Sequence, residues 1–329
     1  MHAATRLAWK TLIHASRWLF YSSLCVLADA LDTVLSHLIP DIRCPAILLI
    51  QSSDADSLSD ETVIKLIVRP RKLSPDSSAY QITSRTVAKI SQDADEGATD
   101  ASEANALDLV AKKTNIPVPR VHRVIKQEER YVILMDYIPG QTLAQLWPTY
   151  SIWKKSRVAF TLRRYIRQLQ HLKATPATPP GPLSSQGPRI CENPGIFSSM
   201  RSSLTPFASY AELAVFFNQR CKVALDHYKI PENDPSRKRR FDDSGPLVFG
   251  HQDLTPANII VGEDGLFWIV DWSWAGYYPA WCEYATMLRQ GDRKSDYNFW
   301  DCLVPFICGP YFKQEQWLSS IEVGLYYRE

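Results

Sequence analysis

The stretch FGHQDLTPANIIVGEDGLFWIVDWSWAGYYPAW, residues 249–281, decides how the chain is read. Asn258 is followed by the apolar run Ile259-Ile260-Val261, the turn Gly262-Glu263-Asp264-Gly265, a second apolar run over 266–270, and then Asp271. Two short apolar runs around a Gly/Asp turn predict a β-hairpin. A hairpin returns the chain to its start, so the spacing predicts Asn258 and Asp271 facing each other across the open end. Directly paired residues stand about 4.5–5.5 Å apart, which lets an amide oxygen and a carboxylate share one hard cation, Mg²⁺ being the natural fit. Asp253 lies shortly before Asn258 in a loop braked by Pro256. A carboxylate placed there can accept the proton of an attacking hydroxyl. His251, beside an apolar run, reads as a packing and hydrogen-bonding residue that fixes the loop.

Working back from this segment, the chain has no glycine before Gly97. Val- and Ile-rich runs bounded by Ser, Asp and Pro predict strands at 46–50, 62–68 and 86–90. A helix is predicted over 101–114, with Ala104, Leu107, Val110 and Ala111 on one face, and Asn115-Ile-Pro-Val-Pro119 stops it. Two more strands, 120–125 and 131–136, lead to the turn Pro139-Gly140. Beyond it, helices are predicted at 151–172 and 209–228, separated by a proline- and glycine-rich loop over 175–195. The fold class is therefore α+β and bilobal: a helical extension over 1–45, a small antiparallel-sheet lobe with one helix over 46–140, and a larger mainly helical lobe over 141–329.

At 329 residues, with 45% apolar and 22% charged residues, the chain suits two lobes of a folded protein. A net charge of +2 gives no reason to expect a nucleic-acid partner. Arg237-Lys-Arg-Arg240 is flanked by Asp234, Asp242 and Asp243 and reads as a solvated loop. Seven cysteines without a CxxC pair point to free thiols in a reducing compartment, so a cytoplasmic location is expected. At the N-terminus, Arg6, Lys10 and Arg17 precede the apolar run Trp18–Ala28, which is too short to span a bilayer but resembles a signal-peptide core. Leu24, Leu27, Leu31, Val34, Leu35 and Leu38 recur at helical spacing past the would-be cleavage site, which favours an amphipathic helix over targeting or membrane contact through residues 1–40.

His251-x-Asp253-x-x-x-x-Asn258, the hairpin and Val270-Asp271-Trp272 together resemble the aminoglycoside phosphotransferase family of the protein-kinase-like fold, most of all its fungal members of unassigned substrate. The resemblance runs in order over about residues 80–290. It implies an ATP-dependent transfer of the γ-phosphate to a hydroxyl of a small molecule, with Asp253 as catalytic base and Asn258 and Asp271 as Mg²⁺ ligands. It makes Lys89, in Thr86-Val-Ala-Lys89, the phosphate-binding lysine and Glu103 its partner from the following helix. Met135, Asp136, Tyr137 and Ile138 fall in the segment that meets the adenine.

One feature departs from the family, and two others bear on the reading. The family usually carries a flexible, often glycine-containing loop over the phosphates, and here Ser77-Ser78 stands in its place. Lys65 competes with Lys89, but it would need a longer connection to the glutamate-bearing helix than compact lobes prefer. Asp271 is followed by Trp272-Ser273 rather than Phe-Gly, and no Ala-Pro-Glu follows, which argues against protein substrates. The missing glycine loop motivates an alternative, an inactive kinase-like module that binds nucleotide or acts by interaction. Trp272, Trp274, Tyr277, Tyr278, Trp281, Trp300 and Trp317 read as core rather than as a cage for a cationic amine. Asp292, Asp296, Asp301 and Glu315 either meet a polyamine substrate or face water.

Overall fold

The computed structural model describes residues 2–38, 54–68, 78–91, 100–127, 130–191, 193, 195–197, 205–291 and 299–326. The strand expected at 46–50, together with Ser77, Asp292 and Asp296, lies outside them. In chain order the elements of the first part are α1 (His2–Leu38), α2 (Asp60–Val68), β1 (Ala79–Gln81), β2 (Thr86–Ser91), α3 (Ser102–Lys113), β3 (Val121–Gln127) and β4 (Arg130–Asp136). The four strands form one antiparallel sheet in the order β1-β2-β4-β3. Its central strand β4 is buried on both faces, as a period of two requires of a covered strand. Tyr131, Ile133 and Met135 join the cluster that contains Leu107 and Val110 of α3, whereas Val132 and Leu134 join Val63 and Ile67 of α2.

Residues 62–68, expected as a strand, are helical. Their β-branched composition suggests a strand, but Ser59 caps a helix by accepting from the Thr62 amide, and Asp60 and Glu61 occupy the first turn, where the helix dipole favours acids. Val63 and Ile67 then fall one turn apart on the buried face, and Lys65 points out to solvent.

The larger lobe comprises β5 (Gly140–Thr142), α4 (Leu143–Leu146), α5 (Ile152–His171), β6 (Gly181–Pro182), α6 (Tyr210–His227), β7 (Leu247–Gly250), β8 (Ile259–Gly262), β9 (Phe267–Ile269), β10 (Gly276–Pro279), α7 (Ala280–Gly291), α8 (Trp300–Cys308), α9 (Phe312–Ser320) and α10 (Glu322–Tyr326). Thr142 and Gln145 form a capping box that starts α4, and Ser151 and Ser209 cap α5 and α6. Two small sheets, β6-β10-β7 and β5-β8-β9, carry the loops between them. Gly276 in β10 passes so close to the Gly181 carbonyl that a Cβ there would overlap it. Of the aromatic residues, Trp272, Tyr278, Trp281 and Trp300 are buried, and Trp272 stacks on Phe249. These four build core, each burying a large apolar area.

The long helix α1 is fastened to this lobe by polar contacts. Arg163 of α5 is completely buried and donates to the Cys25 and Phe306 carbonyls and to Asp29 Oδ1, at 3.1, 2.6 and 2.7 Å. Arg164 pairs with Asp32, Arg167 with Asp29, and the Tyr21 hydroxyl donates to the Cys302 carbonyl. The inward face is thus Tyr21, Cys25, Ala28, Asp29 and Asp32. Leu27, Leu31 and Val34, whose spacing predicted an amphipathic helix, are exposed. Hydrophobic period identifies a helix, but it does not say which face finds a partner.

Candidate active site

The β8–β9 hairpin forms as its sequence predicts, with Ile259 opposite Ile269 and Val261 opposite Phe267. The ladder ends one position short of the expected pairing. The Val270 amide donates to the Asn258 carbonyl at 3.0 Å, so Val270 rather than Asp271 stands across from Asn258. Asp271 follows with φ of 65°, a left-handed conformation that costs a non-glycine residue about 1–2 kcal/mol and must be held by its surroundings.

What holds it is a buried cation. Lys89 Nζ on β2 lies 2.7 Å from Glu103 Oε1 on α3, 2.7 Å from Asp271 Oδ1 and 2.9 Å from Ser273 Oγ. Ser273 is also 3.1 Å from Glu103 Oε2 and 3.0 Å from Asp271 Oδ1, and the Trp272 amide donates to Glu103 Oε1. Lys89 and Glu103 are buried, whereas the Asp271 side chain is 43% exposed, so the cluster opens on its Asp271 side. Burial works against the Lys89 charge, but the two carboxylates outweigh it and hold the ammonium above its ordinary range. Burial opposes the Asp271 charge too, yet Lys89 and Ser273 bring its pKa down to about 2. Burial pushes Glu103 upward, against the pull of Lys89. Two carboxylates share one ammonium, leaving room for further positive charge at the open side.

Asp253 and Asn258 are brought together on the adjoining loop. Asn258 Nδ2 donates to Asp253 Oδ2 at 2.7 Å and to its carbonyl at 2.9 Å, which turns the amide oxygen into the group's remaining acceptor. His251 fixes the loop from inside. The Asp253 amide donates to His251 Nδ1, so the ring proton sits on Nε2 and is donated to the Val270 carbonyl. Burial brings the His251 pKa down to about 4, which keeps the ring neutral and excludes it as a proton carrier near neutral pH.

The groups that brace this loop carry no obvious mark in the sequence. Gln252 adopts φ of 65° and is pinned by Glu283 Oε2, which accepts from its amide at 2.9 Å and from its side chain at 3.3 Å. Asn193 donates to the far end of the same side chain. Burial raises the Glu283 pKa to about 7. A lone acid in the apolar stretch AWCEYATML of α7 was the available signal for Glu283, and a hydroxyl two residues after Asp271 that for Ser273.

Met135, Asp136, Tyr137 and Ile138, expected to meet the adenine, sit where β4 leaves the small sheet. Asp136 is occupied, accepting from His122 Nε2 at 2.7 Å and from the Arg120 amide, and the Tyr137 amide donates to the Arg85 carbonyl. Met135 and Ile138 are buried. Among the described residues no group of three or more His, Cys, Asp or Glu side chains gathers around a metal position. The donors present, an ionised Asp271 carboxylate and the Asn258 amide oxygen, fit a hard cation that takes its other ligands from water and phosphate, as Mg²⁺ does.

A β-sheet lobe and a helical lobe joined over a lysine–glutamate–aspartate cluster define a kinase-like phosphotransferase. The chain belongs to the phosphotransferase enzyme family, whose sequence pattern matches residues 70–301. Comparison with curated proteins returns no match. Among solved structures, it is similar to a spectinomycin phosphotransferase in complex with ADP and spectinomycin, at 15% identity and a TM-score of 0.44 over 76% of this chain and 78% of that one. It is similar at 16% identity and the same TM-score to an aminoglycoside phosphotransferase from Streptomyces rimosus in complex with ADP and streptomycin, over 82% of this chain and 100% of that one. A type VIII aminoglycoside-3'-phosphotransferase shows 14% identity and a TM-score of 0.43 over 78% and 91% of the two chains.

Proposed function

We propose that the chain transfers the γ-phosphate of Mg·ATP to a hydroxyl of a small molecule. The observation that carries this reading is the three-way contact of Lys89 with Glu103 and Asp271 beside the Asp253–Asn258 pair. In it Glu103 holds the Lys89 ammonium toward the nucleotide phosphates, and Asp271 and Asn258 hold Mg²⁺. When bound, Mg²⁺ neutralises charge on the phosphate oxygens. Asp253 accepts the proton of the acceptor hydroxyl and keeps that oxygen in line, while Asn258 fixes the carboxylate. Such chemistry asks mainly for positioning and charge, and these side chains supply both. Met135, Asp136, Tyr137 and Ile138 flank the adenine. Since the Asp136 carboxylate and the Tyr137 amide are already engaged, recognition there falls to the remaining backbone groups and to apolar contact. Glu315 pairs with Arg289 and Ser319 and is engaged within the lobe.

The test is thermal unfolding with and without Mg·ATP, followed by phosphate transfer to a panel of aminoglycosides, choline-like amines, sugars and amino alcohols. A ligand at 100 times its Kd adds about 2.7 kcal/mol to the native state. Asp253→Ala is expected to keep that stabilisation and lose transfer; Asp271→Ala is expected to lose the Mg²⁺-dependent part. Stabilisation without turnover on any acceptor would assign the chain to the nucleotide-binding module instead, and normal transfer by Asp253→Ala would remove the base.

A further inference from the structure

Helix α3 brings Glu103 to Lys89, and Glu103 is its second residue, so the place where the helix begins decides where the carboxylate lies. Ala101 stands at the N-cap, and alanine has no side-chain oxygen to accept from the amides of the first turn. Asp100, the residue before it, is turned toward the larger lobe, where residues 183–189 of the proline- and glycine-rich loop meet it.

The contact is dense. Arg189 Nη2 donates to Asp100 Oδ1 at 2.7 Å and to the Asp100 carbonyl. The Ser184 hydroxyl donates to Oδ1 at 3.1 Å, and the Ser185 amide to Oδ2 at 2.7 Å. Asn105, one turn into α3, donates through Nδ2 to Oδ2 at 2.6 Å and to the Leu183 carbonyl at 3.4 Å. Arg189 is 6% exposed, so removing its partner would leave a buried charge. Burial opposes the Asp100 charge, but Ser185, Asn105 and Arg189 outweigh it and bring the pKa down to about 2, which keeps the carboxylate ionised near neutral pH. The loop itself is firmly placed. It follows directly on β6, which pairs with β10, and β10 pairs with β7, whose Gly250 leads into His251 and Asp253.

We infer that Arg189 is a positioning residue for Glu103: from the larger lobe it fixes the start of α3, and with it the carboxylate that holds Lys89. It anchors the helix end that Ala101 leaves uncapped. Glu103 is then held from the larger lobe at both ends, its backbone through Asp100 and its carboxylate through the Trp272 amide and the Ser273 hydroxyl. Loosening Arg189 frees the first turn of α3 and weakens the grip on Lys89, although Arg189 touches neither residue of that pair. The effect on nucleotide binding rests on the phosphotransfer reading, whereas the effect on α3 does not.

The test compares the full chain with Arg189→Met by hydrogen exchange along α3 and by titration with Mg·ATP. Faster exchange in the first two turns of α3 is expected, with α5 and α7 unchanged. Mg·ATP affinity is expected to weaken by about tenfold or more, the size of one charge-assisted hydrogen bond. Arg189→Lys keeps the charge without the planar fork and is expected to recover part of the affinity. Asn105→Ala serves where Arg189→Met does not fold. Alanine is the better helix former, so local propensity alone predicts slower exchange, whereas loss of the tie to Asp100 and Leu183 predicts faster. Unchanged exchange of α3 in folded Arg189→Met protein, or slower exchange in Asn105→Ala, overturns the inference. Faster exchange with unchanged Mg·ATP affinity overturns it too, and reduces the contact to a purely structural tie. If the unaltered chain binds no Mg·ATP, the phosphotransfer reading fails; faster exchange in α3 then still supports the anchoring by Arg189, and unchanged exchange overturns it.

Discussion

Glu283→Gln isolates the charge of a carboxyl buried directly behind the Gln252–Asp253 loop. Glu283 is 4% exposed, its Oε2 takes both Gln252 donors, and Oε1 has no hydrogen-bond partner among the described residues. Burial lifts its pKa from 4.5 to about 7. The native state therefore binds more protons than the unfolded chain between those values, and stability is lost as pH rises through the window. At 1.36 kcal/mol per unit the loss amounts to about 3 kcal/mol. His251 works in the opposite sense. Its pKa is depressed from 6.5 to about 4, so its contribution is lost as pH falls through that range. The two nearly cancel between about pH 4.5 and about pH 6.5, and the wild-type profile there is flat. The difference between wild type and Glu283→Gln removes the histidine from the comparison. Urea denaturation at several pH values is expected to show the variant gaining about 3 kcal/mol on the wild type between about pH 4.5 and about pH 8. A difference that stays constant with pH would refute the desolvation argument and mean that Glu283 is ionised throughout.

Lys89→Met leaves Glu103 and Asp271 facing each other without a cation; since Asp271 is partly exposed, a loss near the low end of about 3–5 kcal/mol is expected in chemical denaturation. Adding Glu103→Gln should recover part of it, since the two residues act as one unit. Arg163→Met removes donors to Cys25, Asp29 and Phe306 and is expected to cost about 3–5 kcal/mol and to expose α1 to limited proteolysis. Gly276→Ala forces a methyl group against the Gly181 carbonyl and is expected to lower stability by about 1–3 kcal/mol, read as a lower melting temperature.

The elements that the sequence announced are those whose information is local. The hairpin after Asn258 rests on a turn between two apolar runs, and α3 on a clean helical period ended by Pro117 and Pro119. The pairing of Lys89 with Glu103 was legible only through the resemblance to the aminoglycoside phosphotransferase family. The α2 segment was misread because Val63, Ile64 and Ile67 suit a strand by type, and only Ser59 and two acids told against it. The outward face of α1 was illegible for another reason: which side of a helix packs depends on Arg163 and Phe306, far along the chain. The same holds for Glu283 and Asn193, whose contacts with Gln252 join residues 31 and 59 positions apart. The one-residue offset at Asp271 reflects a left-handed residue that no residue-type preference signals.

The Tyr21–Cys302 bond joins positions 281 apart, and Arg163 itself closes on the Phe306 carbonyl from 143 positions away. On the ribosome, α1 leaves the exit tunnel well before its seat on α8. At roughly 5–20 residues per second the wait is on the order of 15 s to a minute. During that interval both faces of the helix are bare, the one meant for the lobe as well as the outward one. The inward face of the helix is covered only when α8 arrives.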